Sequence, residues 1–175
     1  MNVPVGVRIL GIDPGLRVTG YACLERPLGA RGDAARLGGA GGGVRVVEAG
    51  VIRLKPTRSI SHRLAELDAD LAEIFDRTRP AVAAVEKLYA HYKHPTTAIV
   101  MGHARGVVLL SIRRAGVELV ELGATQVKKS LTGNGHAGKG QMQEGVRVQL
   151  GLNARPEPAD VADAMAIALC ALRRR

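Results

Sequence analysis

"VRILGIDPGLRVTGYACLE" occupies residues 7–25. An apolar run, Ile9-Leu10-Gly11-Ile12, ends in the acid Asp13, turns at Pro14-Gly15 and resumes as a second β-like run. Turn chemistry between two apolar runs predicts a short buried strand over 7–13, joined tightly to a second over 18–25. A carboxylate ending a buried strand costs several kcal/mol unless it is paired or bound to a metal. What Asp13 binds therefore governs how the rest of the chain is read.

Outward from there, "VRVVEAGVIRL" at 44–54 reads as a third strand. The Gly- and Ala-rich segment before it, 29–43, is expected to be a mobile hairpin loop without chemistry. Ile60, Leu64, Leu67, Leu71, Ile74 and Phe75 fall at helical spacing, predicting a helix over 59–78 with Ser59 as its cap and Pro80 ending it. "AVAAVE", 81–86, is a short apolar strand that again ends in an acid, Glu86. A second helix is expected over 95–114, where Gly102, Ala104 and Gly106 would permit close packing on the sheet or on another subunit. "VELVEL", 117–122, is the fifth strand. Residues 125–151 are basic and partly helical, broken by "TGNGHAGKG". A last helix runs from about Pro158 to Leu172, with Val161, Met165, Ala168 and Leu172 as its apolar stripe. This order predicts one α/β domain over 1–175, built on a five-stranded mixed sheet flanked by helices.

Composition narrows the function. At 175 residues and 46% hydrophobic, the chain supports a sizeable core. Aromatics are only 2%, so the core is aliphatic and an aromatic in a loop stands out. A net charge of +9 favours a polyanionic partner, most simply nucleic acid. Cys23 and Cys170 have no metal or redox spacing and read as small buried hydrophobes. No apolar run approaches the ~18 residues of a membrane span, and no signal peptide is read at the start, so a reducing cytoplasm is expected.

Asp13 and Glu86 end apolar strands, and Asp160 and Asp163 lie three apart on one face near the start of the last helix. Taken alone, the helix pair is also explained as acids at the positive end of a helix dipole, and Glu86 as a loop acid. Together the four suggest a site for hard divalent ions, in which two metals serve in-line displacement at phosphorus. Of the histidines, His62 and His103 read as helix residues without function; His91, His94 and His136 lie in loops. "KLYAHYKH" places Tyr89 and Tyr92 among Lys87 and Lys93, where a ring either stacks on an unpaired base or packs under the loop. "VKKSLTGNGHAGKGQ" is a glycine-rich basic stretch, suited to a phosphate backbone or simply a solvated turn.

"ILGIDPGLRVTGYA", "AVEKLY", "ARGV", "QVKKSLTGNGHAGKGQ" and "PADVADAMAIA" together resemble the RuvC family of crossover junction endodeoxyribonucleases, in order and from about residue 7 to 172. The resemblance implies a ribonuclease H-like fold, a homodimer and Mg²⁺- or Mn²⁺-dependent resolution of four-way (Holliday) DNA junctions in recombination and repair. It also implies the RuvA–RuvB branch-migration proteins as partners. Carried over by position, the catalytic, metal-holding acids fall on Asp13, Glu86, Asp160 and Asp163, with two ions expected per site. The junction-probing aromatic falls on Tyr89 and the catalytic lysines on Lys128 and Lys139. Lys87, Lys93, Lys129 and Arg147 are further candidate DNA contacts. The 29–43 insertion is longer than expected for the family. Competing readings are an ATP-binding protein of the actin and sugar-kinase kind, which "DPGLRVTG" fits loosely, and a metal nuclease for other branched DNA or RNA–DNA hybrids.

Overall fold

β1 (Gly6–Asp13) and β2 (Val18–Pro27) form an antiparallel hairpin whose register runs from Gly6 opposite Pro27 to Asp13 opposite Gly20. Thr19 locks the turn between them: its hydroxyl donates to the Gly15 carbonyl at 2.6 Å, and the Gly15 N–H donates to that hydroxyl at 3.1 Å. These elements belong to a computed structural model that describes residues 6–27, 43–87 and 95–174. Apart from Gly43, the Gly-rich segment expected as a loop lies outside the described residues, as do Tyr89 and Lys93.

β3 (Arg45–Arg53) adds antiparallel to β2, while β4 (Val82–Glu86) and β5 (Glu118–Leu122) add parallel to β1 and to β4 in turn. The sheet order is β3-β2-β1-β4-β5, the expected five-stranded mixed sheet. α1 (Ile60–Thr78) opens where Ser59 accepts the His62 N–H, and closes at Arg79 in a left-handed conformation just before Pro80. Ile60, expected in its apolar face, is exposed instead because it stands in the first turn, ahead of the stretch that meets the sheet.

α2 (Pro95–Arg114) packs beside α1. Of Gly102, Ala104 and Gly106 only Ala104 is buried; a Cβ at Gly102 or Gly106 would meet nothing within 4 Å, so neither glycine is needed for packing within this chain. α3 (Ala124–Thr132) and α4 (Lys139–Leu150) frame the glycine-rich break. α5 (Ala159–Leu172) closes the chain.

Strand alternation sorts the core into two layers. Leu10, Ile12, Cys23, Ala83 and Val85 face α1 and α2. Ile9, Ala22, Leu24, Val82 and Ala84 face α5, which α3 and α4 cover in turn. The apolar stripe expected on α5 is therefore too narrow. Between the sheet and two helices, every residue of 161–172 is buried except Asp163. Both cysteines are buried and free, as expected.

α5 comes this close because β1 and β2 present glycines to it. A Cβ on Gly11 would fall 2.1 Å from the Ala164 carbonyl oxygen, and one on Gly20 would fall 2.0 Å from that of Asp160. Both neighbours are backbone, which cannot swing aside. Gly11→Ala is expected to destabilise by about 3 kcal/mol or more, at or beyond the usual range for overpacking. Gly140→Ala, with open space around it in the first turn of α4, should be neutral or stabilising by up to about 1 kcal/mol. Urea midpoints of the two variants test this, and equal midpoints would remove the close-contact account.

Candidate active site

Asp13 shares its strand face with Ile9 and Gly11, and Glu86 shares its face with Val82 and Ala84, so both acids point toward the α5 layer. Ile12 pairs with Val85 in parallel register, and the next step along both strands brings Asp13 beside Glu86 at their carboxyl ends. That is where open α/β sheets bind ligands. From above, α5 delivers Asp160 and Asp163. Neither acts as a cap: the N-cap of α5 is Pro158, with no side-chain capping bond.

Three adjoining clefts converge here, and Asp13 lines all of them. One, of about 230 Å³, holds Asp13, Glu86 and Asp163 together with Lys128 from α3 and Lys139 and Met142 from α4. A groove on the other flank joins Asp13 and Asp160 to Arg17, Thr96 and Thr97. A narrow cleft adds Lys87, Met101 and Arg105 to Asp13 and Glu86.

The carboxylates strain against burial and one another. Asp13 is pushed up from 3.8 to about 7, first by burial, then by the negative charges of Asp163, Glu86 and Asp160; Lys139 offsets part of this. Burial raises Glu86, with Asp163 adding to the effect and Lys128 opposing it. Burial also raises Asp163, with Asp160 adding and Lys139 and Lys128 opposing.

Clustered hard-oxygen donors whose ionised forms are disfavoured fit a divalent cation, which would relieve the repulsion. Among the described residues no three acids, histidines or cysteines already stand close enough to hold a metal ion between them, so binding one would draw these carboxylates inward. An open set is what Mg²⁺ takes, since it keeps several waters and is usually held by one or two carboxylates plus substrate phosphate.

The structure brings together Asp13, Glu86, Asp160, Asp163, Lys128, Lys139 and Lys87. It does not bring in Lys129 or Arg147. Lys129 follows Lys128 by one residue, about 100° around α3, and is not among the residues lining these clefts. Arg147 lies eight residues beyond Lys139, about 12 Å along α4, and is committed to Glu144 at 2.7 Å. Sequence reasoning missed Arg17, Thr96, Thr97, Met101, Met142 and Arg105 as lining residues. Arg105 bonds Glu121 and points its Nε at the Glu86 carbonyl, 3.4 Å away. Its signal was present: one charge inside the small-residue stretch of α2.

The family model described as "Crossover junction endodeoxyribonuclease RuvC" matches residues 9–171. A protein of that name from Rhodopirellula baltica is 46% identical over 162 residues, covering 93% of this chain and 84% of its own. The solved RuvC of Thermus thermophilus superposes with a TM-score of 0.79 at 32% identity, over 95% of this chain and 94% of that one. The same protein in complex with Holliday junction substrate gives a TM-score of 0.81 at 30% identity, over 96% and 94%.

The Asp13 shift has a sign that stability measurements can read. Between pH 4 and 7 the folded chain holds a proton on Asp13 that the unfolded chain has lost, so stability falls as pH rises through that window. The full penalty, up to about 4 kcal/mol, is present at pH 8. In chelator at pH 8, Asp13→Asn should therefore melt several degrees above the parent, and the gap should close toward pH 4. Thermal melts across pH decide it; a parent as stable as the variant at pH 8 would contradict the strain.

Proposed function

The chain belongs to the RuvC family of crossover junction endodeoxyribonucleases, and from that premise we propose that it resolves four-way DNA junctions in recombination and repair by paired, symmetric nicks. Its fold is ribonuclease H-like. The observation that carries the proposal is the single cleft in which Asp13, Glu86 and Asp163 meet Lys128 and Lys139. Acids alone would repel a phosphodiester, whereas acids ringed by lysines suit one that arrives with divalent cations. The family match over residues 9–171 leaves no support for the ATP-binding alternative.

In this reading Asp13, as the central ligand, together with Glu86, Asp160 and Asp163 would hold Mg²⁺ or Mn²⁺, two ions per site. The ions would supply Lewis acidity and a water of lowered pKa. Lys128 and Lys139 bind the scissile phosphate and offset the charge that grows on it as water attacks phosphorus in line. The P–O3′ bond breaks, leaving a 5′-phosphate and a 3′-hydroxyl. Tyr89, three residues after Glu86, stacks on an unpaired base at the junction. Lys87 and Lys93 flank it on the DNA.

Two equal sites on a two-fold junction call for a two-fold dimer. Ile99, His103, Gly106 and Leu110 recur along α2 at the spacing of one helix face. Ile99 is 60% exposed and Leu110 46%, and we assign this face to a second copy of the chain. RuvA–RuvB are the partners the family implies. Among the described residues no helix is long and apolar enough to cross a membrane.

A synthetic mobile junction and a linear duplex, each with and without Mg²⁺ or Mn²⁺, test the activity. Symmetric nicks on the junction alone are expected, and Asp13→Asn should bind it without cutting. Lys139→Ala should slow single-turnover cutting about 10²–10³-fold with little loss of binding. Cutting of duplex and junction alike would overturn the structure-selective reading. Sedimentation tests the interface: Leu110→Glu should convert the dimer to a monomer with an unchanged far-UV spectrum, and a persistent dimer would move the interface elsewhere.

A further inference from the structure

The chain sorts its cations. Arg8, Arg45, Arg58, Arg77, Arg105, Arg114, Arg147 and Arg155 are all spent on carboxylates. Arg17, Arg53 and Lys55 are not: all three are exposed, and none has an ion-pair partner among the described residues. They also stand together. Arg53 pairs with Val18 in the β2–β3 ladder, and the Leu54 N–H donates to the Arg17 carbonyl at 3.0 Å. Around Arg53, the alternation of buried Ile52 and Leu54 puts Arg53 and Lys55 outward on the same side.

This edge lies at the Asp13 end of the sheet, since β2 begins and β3 ends where β1 ends. The groove lined by Asp13, Asp160 and Arg17 leads toward it from the acids. Lys128 and Lys139 line the separate cleft with Glu86 and Asp163. The acids are thus flanked by unpaired cations on two sides, and only one side belongs to the chemistry described above. Solvated like charges held close on a rigid strand end repel one another, and a polyanion relieves that.

We propose that Arg17, Arg53 and Lys55 form a second phosphate-binding surface, which seats the backbone of a duplex arm of the junction on the far side of the acids from Lys128 and Lys139. The proposal rests on the reading of the chain as a junction nuclease and adds where one arm lies. Its contacts are to phosphate, so they set affinity and register and carry no base specificity. Because Arg53 and Lys55 line none of the clefts that hold the acids, they leave the chemical step unchanged once the junction is bound.

The test is binding of a fluorescent four-way junction across a salt series in chelator, beside single-turnover cutting at saturating protein in Mg²⁺. The variant carrying Arg17→Gln, Arg53→Gln and Lys55→Gln should bind at least about tenfold more weakly near 0.1 M salt. Its log–log salt slope should fall by about 2–3, at roughly 0.9 per phosphate contact. The saturated cutting rate is read on the double variant Arg53→Gln with Lys55→Gln, which leaves the groove-lining Arg17 in place, and should stay within about twofold of the parent. Arg53→Gln alone should lower the slope by about 1, and a variant with Arg17→Lys and Arg53→Lys should keep most of it, separating phosphate contact from a structural role. A parent-like slope in the triple variant, with the parent cutting junctions normally, overturns the arm surface alone. A parent that neither binds nor cuts junctions overturns the functional reading and this surface with it.

Discussion

Backbone-to-backbone contact between α5 and the β1–β2 hairpin is the constraint on which the site depends. Gly11 and Gly20 leave no room for even a methyl group beneath Ala164 and Asp160. With helix and sheet this close, the first turns of α5 hang directly over the end of β1. Asp163 is the one residue of 161–172 that is not buried, so the geometry that packs the helix also aims its acid. Two rigid elements, rather than loops, fix three of the four carboxylates: Asp13 on a strand, Asp160 and Asp163 on the helix above it. Sites on such elements hold their geometry more closely than sites on loops.

The same closeness makes the metal-free protein uneasy. Asp13 is held up near pH 7 by burial and by neighbours of its own sign, so its anion is disfavoured below about that pH. At the opposite end of the hairpin the chemistry runs the other way. Glu25 is buried too, but Arg8 bonds it at 2.6 Å and Arg45 at 2.9 Å, and its carboxyl is held low, chiefly by the hydrogen bond from Arg8. One buried acid is neutralised by arginines of the chain itself, and the other is crowded by carboxylates of its own sign. That contrast separates a structural carboxylate from a functional one better than burial does.

Much of this was legible in the sequence because the strands are short, apolar and punctuated. "ILGID" and "AVAAVE" each announce a strand and stop at an acid, and period 2 then dictates which face that acid takes. The long loop-poor order of helices and strands left little doubt about the sheet. Less legible were features set by third-dimension packing. No periodicity on α5 says that α3 and α4 will cover its outer side, so its expected stripe was too narrow. Glycines on α2 read as packing on the sheet or on another subunit, and the open space around them removes the first of these. Lys128 and Lys129 are equivalent as letters, and only the turn of α3 decides which faces the acids. Arg147 looked available until Glu144 claimed it.

Charge pairing extends that lesson to the whole surface. A net charge of +9 says only that cations exceed anions; it does not say where the surplus is. In the fold, Arg8, Arg45, Arg58, Arg77, Arg114, Arg147 and Arg155, all away from the site, are tied to glutamates and aspartates, which removes them from long-range attraction. Among the described residues all five lysines, Lys55, Lys87, Lys128, Lys129 and Lys139, stand with Arg17 and Arg53 toward the end of the sheet that carries Asp13, and none of them has a carboxylate partner, whereas Arg26, Arg79 and Arg113, also without one, lie toward the other end. A field made this way is directional: it draws a polyanion to one end of the molecule from beyond contact range. The acids at its centre are then met by phosphate already partly neutralised by its surroundings. This is how an anionic site and an anionic substrate come to share one cleft.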